Sequence, residues 1–201
     1  MQPAIFLDRD GVICANRDDY VKSWEEFRFL PGVKEAMRQL ATLGWPIVVI
    51  TNQSAVGRKL LSHKELASIH RRMEAEIVAA GGRIDAIFYC PHLPEEHCPC
   101  RKPNPGLLFK AAHALQIDLN RSILVGDALS DIQAGARAGV PWRYLVLTGR
   151  GKAALREAQS AIELPYFTVV HDLAEVARRL TRRRRAEAPR PPVAVGAEVH
   201  G

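Results

Sequence analysis

A parallel α/β sheet with helices on both faces is the fold class that this 201-residue chain predicts, and three observations carry it. Short apolar, β-branched runs alternate with longer helical patterns from the N-terminus almost to residue 180, as strands joined by helical crossovers do. Polar residues with chemical potential directly follow the short runs, and ligands of open α/β sheets gather at the carboxyl ends of strands. The length suits one domain that buries about 70% of its unfolded surface.

The first strand is expected at Ala4–Leu7, an apolar run that stops at Asp8. The others are expected at Pro46–Ile50, Ala86–Tyr89, Ser122–Val125 and Tyr144–Leu147, with a weaker sixth at Phe167–Val170. Helices are expected near Pro31–Leu43, Ser62–Ala80, Pro105–Leu115, Ser130–Ala138, Lys152–Ala161 and Leu173–Leu180. Pro31 suits a first helical turn, Ser62 an N-cap, and Gly44 and Gly81 the positions just past helix ends. No internal repeat is visible.

Charged residues at 25% and apolar ones at 47% are ordinary for a soluble globular protein. No apolar run approaches the ~20 residues of a membrane span. Met1-Gln2-Pro3 leads straight into a strand rather than a signal peptide, so a cytoplasmic protein is expected, with no membrane partner. Residues 182–201 carry five arginines against two glutamates, half of the net charge of +6. We therefore expect one domain over residues 1–181 and a basic, disordered tail over 182–201. The Arg182–Arg185 run could touch nucleic acid, but a solvated helix end reads it as well.

Asp8-Arg9-Asp10-Gly11 is the most informative motif. Side chains alternate along a strand, so carboxylates two apart share a side and at a strand end can both face a pocket, with Arg9 directed to the other side. Gly11 permits a tight turn there. Alone, the motif reads more readily as an acidic strand-to-loop turn. Thr51-Asn52-Gln53-Ser54 follows the second run and Gly126-Asp127 the fourth, with Asp131 one helical turn on. An aspartate can attack phosphorus if something shields its charge from the substrate's. Magnesium does so with one or two carboxylates, and Asp127 is placed to complete such a site, with Asp131 as support or ligand. Taken singly, Thr51 is a strand-end cap, Asn52 a turn residue, Lys102 a surface charge and Asp127 an N-cap.

Cys90-Pro91-His92 and Cys98-Pro99-Cys100 place three thiols and an imidazole within eleven residues. Soft sulfur with nitrogen in a set of four favours a closed, structural zinc site within loop 90–100. Such a metal would fix Arg101 and Lys102, which follow the last ligand. His97 is the rival to His92, and a metal-free reduced loop is the competing reading. Cys14 has no partner in sequence and reads as a small apolar filler.

Together, Asp8-Arg9-Asp10-Gly11, Thr51-Asn52-Gln53-Ser54, Lys102 in Cys100-Arg101-Lys102-Pro103, and Gly126-Asp127 with Asp131 resemble the four motifs of the haloacid dehalogenase superfamily of aspartate-nucleophile phosphatases, in order. The resemblance implies a Rossmann-like sheet, Asp8 as nucleophile and Asp10 as general acid and base. It implies that Thr51 and the amides of the Asn52 turn hold the phosphoryl oxygens, that Lys102 neutralises charge, and that Asp8, the Asp10 carbonyl and Asp127 bind Mg2+. With its cysteine loop in place of a cap, the chain is similar to the small capless branch that holds heptose-bisphosphate and histidinol-phosphate phosphatases. Gly57-Arg58, Asn104-Pro105-Gly106 and Leu147-Thr148-Gly149-Arg150-Gly151 look more like the heptose enzymes, while Ala128 stands where those often carry lysine. The short zinc loop suits either branch. The implied activity is removal of the 7-phosphate from heptose 1,7-bisphosphate, for lipopolysaccharide core precursors, by a monomer. Histidine biosynthesis is the alternative, and a zinc-containing nucleic-acid-binding protein the alternative of another class. A bisphosphate needs a second anion site, for which Arg101 is the first candidate and Asn52, Gln53, Arg58 and Arg150 are further substrate-binding candidates.

Overall fold

The computed structural model describes residues 1–160 and 164–187, with side chains followed to Arg183. Six parallel strands, β1 (Ile5–Leu7), β2 (Ile47–Asn52), β3 (Ala86–Cys90), β4 (Ile123–Gly126), β5 (Trp142–Val146) and β6 (Thr168–Val170), lie in the order β3-β2-β1-β4-β5-β6. β1 is central, with Ile5 opposite Ile47 on one side and Ile123 on the other. All three of its residues are buried, which is why it reads as a continuous apolar run.

Alternation divides the core. Ile5, Leu7, Ile47 and Val49 pack with α1 (Val33–Ala41), α3 (His63–Ala79) and α7 (Leu173–Glu187). Phe6, Val48, Ile50 and Leu124 face the other way, onto α4 (Gly106–Leu115) and α5 (Leu129–Arg137). A smaller cluster joins α5 and α6 (Gly151–Ser160) through Ile132, Leu145 and Ala154. The short α2 (Ser54–Gly57) directly follows β2. The strand order reverses beside β1, so the crevice at the carboxyl ends of β1 and β4 is where a ligand site is expected.

Ser62 caps α3 as the sequence indicates: its Oγ accepts from the Glu65 amide at 3.2 Å, and its own amide donates to Glu65 Oε2 at 2.8 Å. Pro31 does not open a helix. It precedes Gly32 (φ +75°, ψ −5°) in a turn closed by Val33 N–H to Leu30 C=O, the proline-glycine order of a type II turn, and α1 starts after it. The four-residue α2 was not anticipated. α7 runs unbroken to Glu187, so the boundary expected after residue 181 falls inside a helix. The expected tail residues 188–201, and Ala161 at the expected end of α6, lie outside the described residues.

Candidate active site

The sequence's polar motifs meet in one cavity of about 320 Å3, lined by Asp8, Asp10, Thr51, Lys102, Asp127 and Asp131 among others. Asp8 leaves the end of β1, where its amide still donates to the Val125 carbonyl of β4 at 3.0 Å. Gly11 (φ +83°) turns the chain back, and Gly149 (φ +54°) approaches from the loop after β5. A methyl group on either glycine would overlap the Asp127 carboxylate, so both must lack one. Thr148 Oγ1 donates to the Gly11 carbonyl at 2.6 Å and fastens the two loops. Asp127 Oδ2 accepts from the Arg150 amide at 2.7 Å and from Asn16 Nδ2 at 3.3 Å.

Lys102 is buried and enters from the loop before α4. Its Nζ lies 2.9 Å from Asp8 Oδ1 and 2.6 Å from Asp131 Oδ1, and it donates to the Ile50 carbonyl at 2.9 Å. Asn52 clamps its backbone from both directions, donating to the Lys102 carbonyl and accepting from the Lys102 amide, each at 3.1 Å. The Asn52 side chain is thus spent on placing Lys102, although the residue also lines the cavity. Burial opposes the ammonium, but Asp131 and Asp8 raise its pKa above the ordinary lysine value, so it stays charged.

Asp8, Asp127 and Asp131 bring carboxylate oxygens within 4.8 Å of one another. Burial lifts the Asp8 carboxyl to about 8 against the pull of Lys102, with Asp131, Asp127 and Asp10 adding to the rise. Burial and then Asp131 lift Asp127 to about 6, opposed by the Arg150 amide. Ionising all three carboxylates against one ammonium would leave two uncompensated negative charges, a deficit that one divalent, oxygen-seeking cation matches. Asp131 is the less free ligand, because Lys102 engages Oδ1 and the Ala128 amide engages Oδ2 at 3.1 Å.

Asp10 behaves differently. Strand geometry ends at Leu7, so the expectation that Arg9 points away from its neighbours fails. Arg9 is 1% exposed and folds back to grip Asp10, Nε to Oδ2 at 3.1 Å and an Nη to Oδ1 at 2.8 Å. Gln53 Nε2 donates to Asp10 Oδ2 at 2.7 Å and to Thr51 Oγ1 at 2.9 Å. Burial works against ionisation here, but Arg9 overcomes it, and hydrogen bonds from Arg9, Gln53 and Cys14 help hold the Asp10 carboxyl below the usual range. Cys14 Sγ lies 3.5 Å from Asp10 Oδ1, so it is a buried contact of the site as well as a filler.

Arg58, Arg101 and Arg150 all line the cavity. Arg101 donates to the His92 carbonyl at 3.1 Å, and Arg58 Nε to the Tyr20 hydroxyl at 2.9 Å. Sequence reasoning missed Asn16 and Tyr20, which stand on an irregular loop between β1 and α1 and carry no pattern. It also missed His70, whose Nε2 lies 3.3 Å from an Arg9 Nη. The signal for His70 was available: it is the one polar member of the α3 stripe Leu66, Ile69, His70, Met73 and Ile77.

In the loop after β3, Cys90, His92, Cys98 and Cys100 converge to within 4.8 Å, and His97 is not among them. Sγ to Sγ separations are 3.2–3.4 Å and His92 Nδ1 lies 3.3–3.5 Å from two of the sulfurs. Zn–S bonds of about 2.3 Å imply edges somewhat longer, so the donor set fits zinc with a slight expansion. Burial opposes the Cys98 thiolate, but hydrogen bonds from Cys100 and Cys90 draw its pKa down to about 7, while burial raises the Cys90 and Cys100 thiols in the same cluster.

A HAD-hydrolase-like family model matches residues 99–176. A D-glycero-beta-D-manno-heptose-1,7-bisphosphate 7-phosphatase from Bordetella bronchiseptica is 43% identical over 178 residues, 88% of this chain and 96% of that protein. One of the same name from Pseudomonas putida is 40% identical over 177 residues, 88% and 98% of the two chains. Among solved structures, the B. bronchiseptica D,D-heptose 1,7-bisphosphate phosphatase complexed with magnesium and phosphate superposes with a TM-score of 0.84 at 42% identity, covering 90% of this chain and 99% of that one. The chain belongs to the D-glycero-β-D-manno-heptose-1,7-bisphosphate 7-phosphatase family of HAD-like phosphomonoester hydrolases.

Proposed function

We propose that this chain hydrolyses the 7-phosphate of D-glycero-β-D-manno-heptose 1,7-bisphosphate through a phosphorylated Asp8, as a monomer in the cytoplasm, supplying lipopolysaccharide core precursors. The observation that carries the chemistry is the Lys102 ammonium held 2.9 Å from Asp8, in the cavity that also holds Asp10 and Thr51. Asp10, a carboxylate at rest, takes up a proton from solvent before attack; an Asp8 oxygen then bonds to phosphorus as the bond to the sugar oxygen breaks, and Asp10 passes that proton to the departing oxygen. Ionised Asp10 then takes a proton from water, whose oxygen displaces phosphate from Asp8. Thr51, the amides of the turn after β2 and Lys102 bind the phosphoryl oxygens as charge develops on them. Asp8, Asp127 and the Asp10 carbonyl would hold Mg2+, and when bound that ion shields the attacking carboxylate from the phosphate's charge.

Arg101 would grip the distal phosphate; it lines the same cavity as Arg58 and Arg150, with Gln53 and Asn52 shaping it. Zinc at Cys90, His92, Cys98 and Cys100 would pin the segment that presents Arg101 and Lys102. The names of the relatives favour the heptose substrate over histidinol phosphate, and favour an enzyme over a nucleic-acid-binding module. The test is phosphate release by the full chain with Mg2+ from heptose 1,7-bisphosphate and from histidinol phosphate, with Asp8→Asn as the blank. Turnover of the bisphosphate alone is expected; preference for histidinol phosphate, or turnover by the blank, overturns the reading. Metal analysis of the purified chain is expected to find one zinc, lost in Cys98→Ser.

A further inference from the structure

We infer that His70 is a positioning residue for Asp10: its ring nitrogen holds the buried Arg9 guanidinium in the orientation that grips the Asp10 carboxylate. The inference rests on the proposed role of Asp10 as proton donor and acceptor.

Arg9 is anchored at both ends. Its carbonyl accepts from the amides of Ile13 and Cys14 at 2.8 and 3.0 Å, which fixes the backbone. Two nitrogens of its guanidinium hold the two Asp10 oxygens, and the third lies 3.3 Å from His70 Nε2. A guanidinium has only donors, so Nε2 must accept and the ring proton must sit on Nδ1. Without that acceptor the third nitrogen would be left unpaired in a site that is 1% exposed, and the fork would be free to rotate toward another partner.

The imidazole is held in turn. His70 is 6% exposed on α3, and the Tyr89 ring meets it edge-on with centroids 6.0 Å apart. Tyr89 is fixed from its far end, its hydroxyl 2.8 Å from His63 Nδ1 at the start of α3. Burial and then Arg9 press the His70 pKa down to about 3, with Asp10 opposing, so the neutral acceptor form persists. A buried polar residue in an otherwise apolar helix stripe needs a partner that justifies it, and the partner here is the residue that orients Asp10.

The experiment compares His70→Leu, which removes the acceptor, with His70→Gln, which keeps one at the end of a side chain of similar reach. Steady-state kinetics on heptose 1,7-bisphosphate are read with rapid-quench measurement of the phosphorylated enzyme. His70→Leu is expected to lower kcat about tenfold to a hundredfold, the loss of one charge-assisted hydrogen bond, with KM within about twofold and more phosphoenzyme at steady state. His70→Gln is expected to recover most of kcat. Equal losses in the two variants, or wild-type kcat in His70→Leu, overturn the inference. Should His70→Leu fail to fold, Arg9→Lys asks the same question, because one ammonium cannot span Asp10 and His70 together; unchanged kcat there also overturns it. A wild-type enzyme that does not turn over the bisphosphate sinks the activity itself, whereas a wild type that turns over beside a fully active His70→Leu sinks only the role of His70.

Discussion

Asp8 and Asp10 stand two residues apart in one motif, yet their surroundings push them in opposite directions. Asp8 shares a buried space with Asp127 and Asp131, and even an ammonium at 2.9 Å leaves its carboxyl raised to about 8. Asp10 has no second carboxylate in contact; a bidentate guanidinium and the Gln53 amide hold it ionised. One half of the site is short of positive charge and so is built for a cation and an anionic substrate. The other is electrically closed and built to keep one carboxylate still. Two titratable groups driven apart by environment mark different duties; for the roles proposed above, a cation would have to ionise Asp8 for attack, and Asp10 would have to gain a proton before giving one.

Replacing each carboxylate breaks this comparison most severely. Asp8→Asn is expected to lose about 10^4-fold or more of kcat, as removal of a covalent nucleophile does. Asp10→Asn is expected to lose about 10^2- to 10^4-fold, the worth of general acid–base catalysis. Isotopic phosphate from labelled substrate separates them, remaining on the Asp10 variant after quenching and never attaching to the Asp8 variant. Label on both would mean that Asp8 is not the nucleophile.

Lys102→Met strikes the first half alone. It leaves Asp8 and Asp131 buried without their cation, a defect of about 3–5 kcal/mol when one member of a buried pair is removed. Urea denaturation of the metal-free protein should show that loss, and Mg2+ should recover part of it. Activity should fall about 10^2- to 10^3-fold, the effect of deleting one group that stabilises developing charge. If stability is unchanged, the three carboxylates are not the strained cluster that the distances describe.

The contrast explains what the sequence could show. β1, β2 and β4 were legible because parallel strands buried on both faces are continuous apolar runs, and Asp8, Lys102 and Asp127 because each follows such a run or the thiol segment. Arg9 was misread because the alternation rule holds only inside a strand, and β1 ends at Leu7. His70 is 61 positions from Arg9, and no local pattern reports a pairing made across the fold. The start of α1 was placed two residues too early, at Pro31, because proline before glycine serves a type II turn as readily as a helix start.

The pH dependence of stability sharpens the same contrast more gently. The folded pKa of Asp8 lies above its unfolded value near 3.8, so its contribution is fully present below that value and is lost as pH rises through about 8. That loss is on the order of 5 kcal/mol in the metal-free protein. The folded pKa of Asp10 is depressed, so its contribution is present above the unfolded value and disappears as pH falls through the folded one. Metal-free melting temperature should therefore decline between pH 5 and about 8 and also at strongly acid pH. Saturating Mg2+ should flatten the first slope and leave the second, and a flat metal-free profile would deny Asp8 its raised pKa.

Gln53 joins the halves, and its replacement should have the smallest effect. One Nε2 reaches both Asp10 Oδ2 and Thr51 Oγ1, so the residue fixes the Asp10 carboxylate relative to the Thr51 hydroxyl. Gln53→Leu removes one hydrogen bond to a charged group and leaves the Arg9 grip intact. The expected cost is about 1.5 kcal/mol, or tenfold in kcat, with KM nearly unchanged. Gln53→Glu keeps the shape but sets a second carboxylate 2.7 Å from Asp10, in the half that was closed. It should then cost more than the apolar replacement, with the excess shrinking as pH falls and one of the two carboxylates takes a proton. If Gln53→Glu is the milder change, the amide serves only to fill space, and the two halves are not coupled through it.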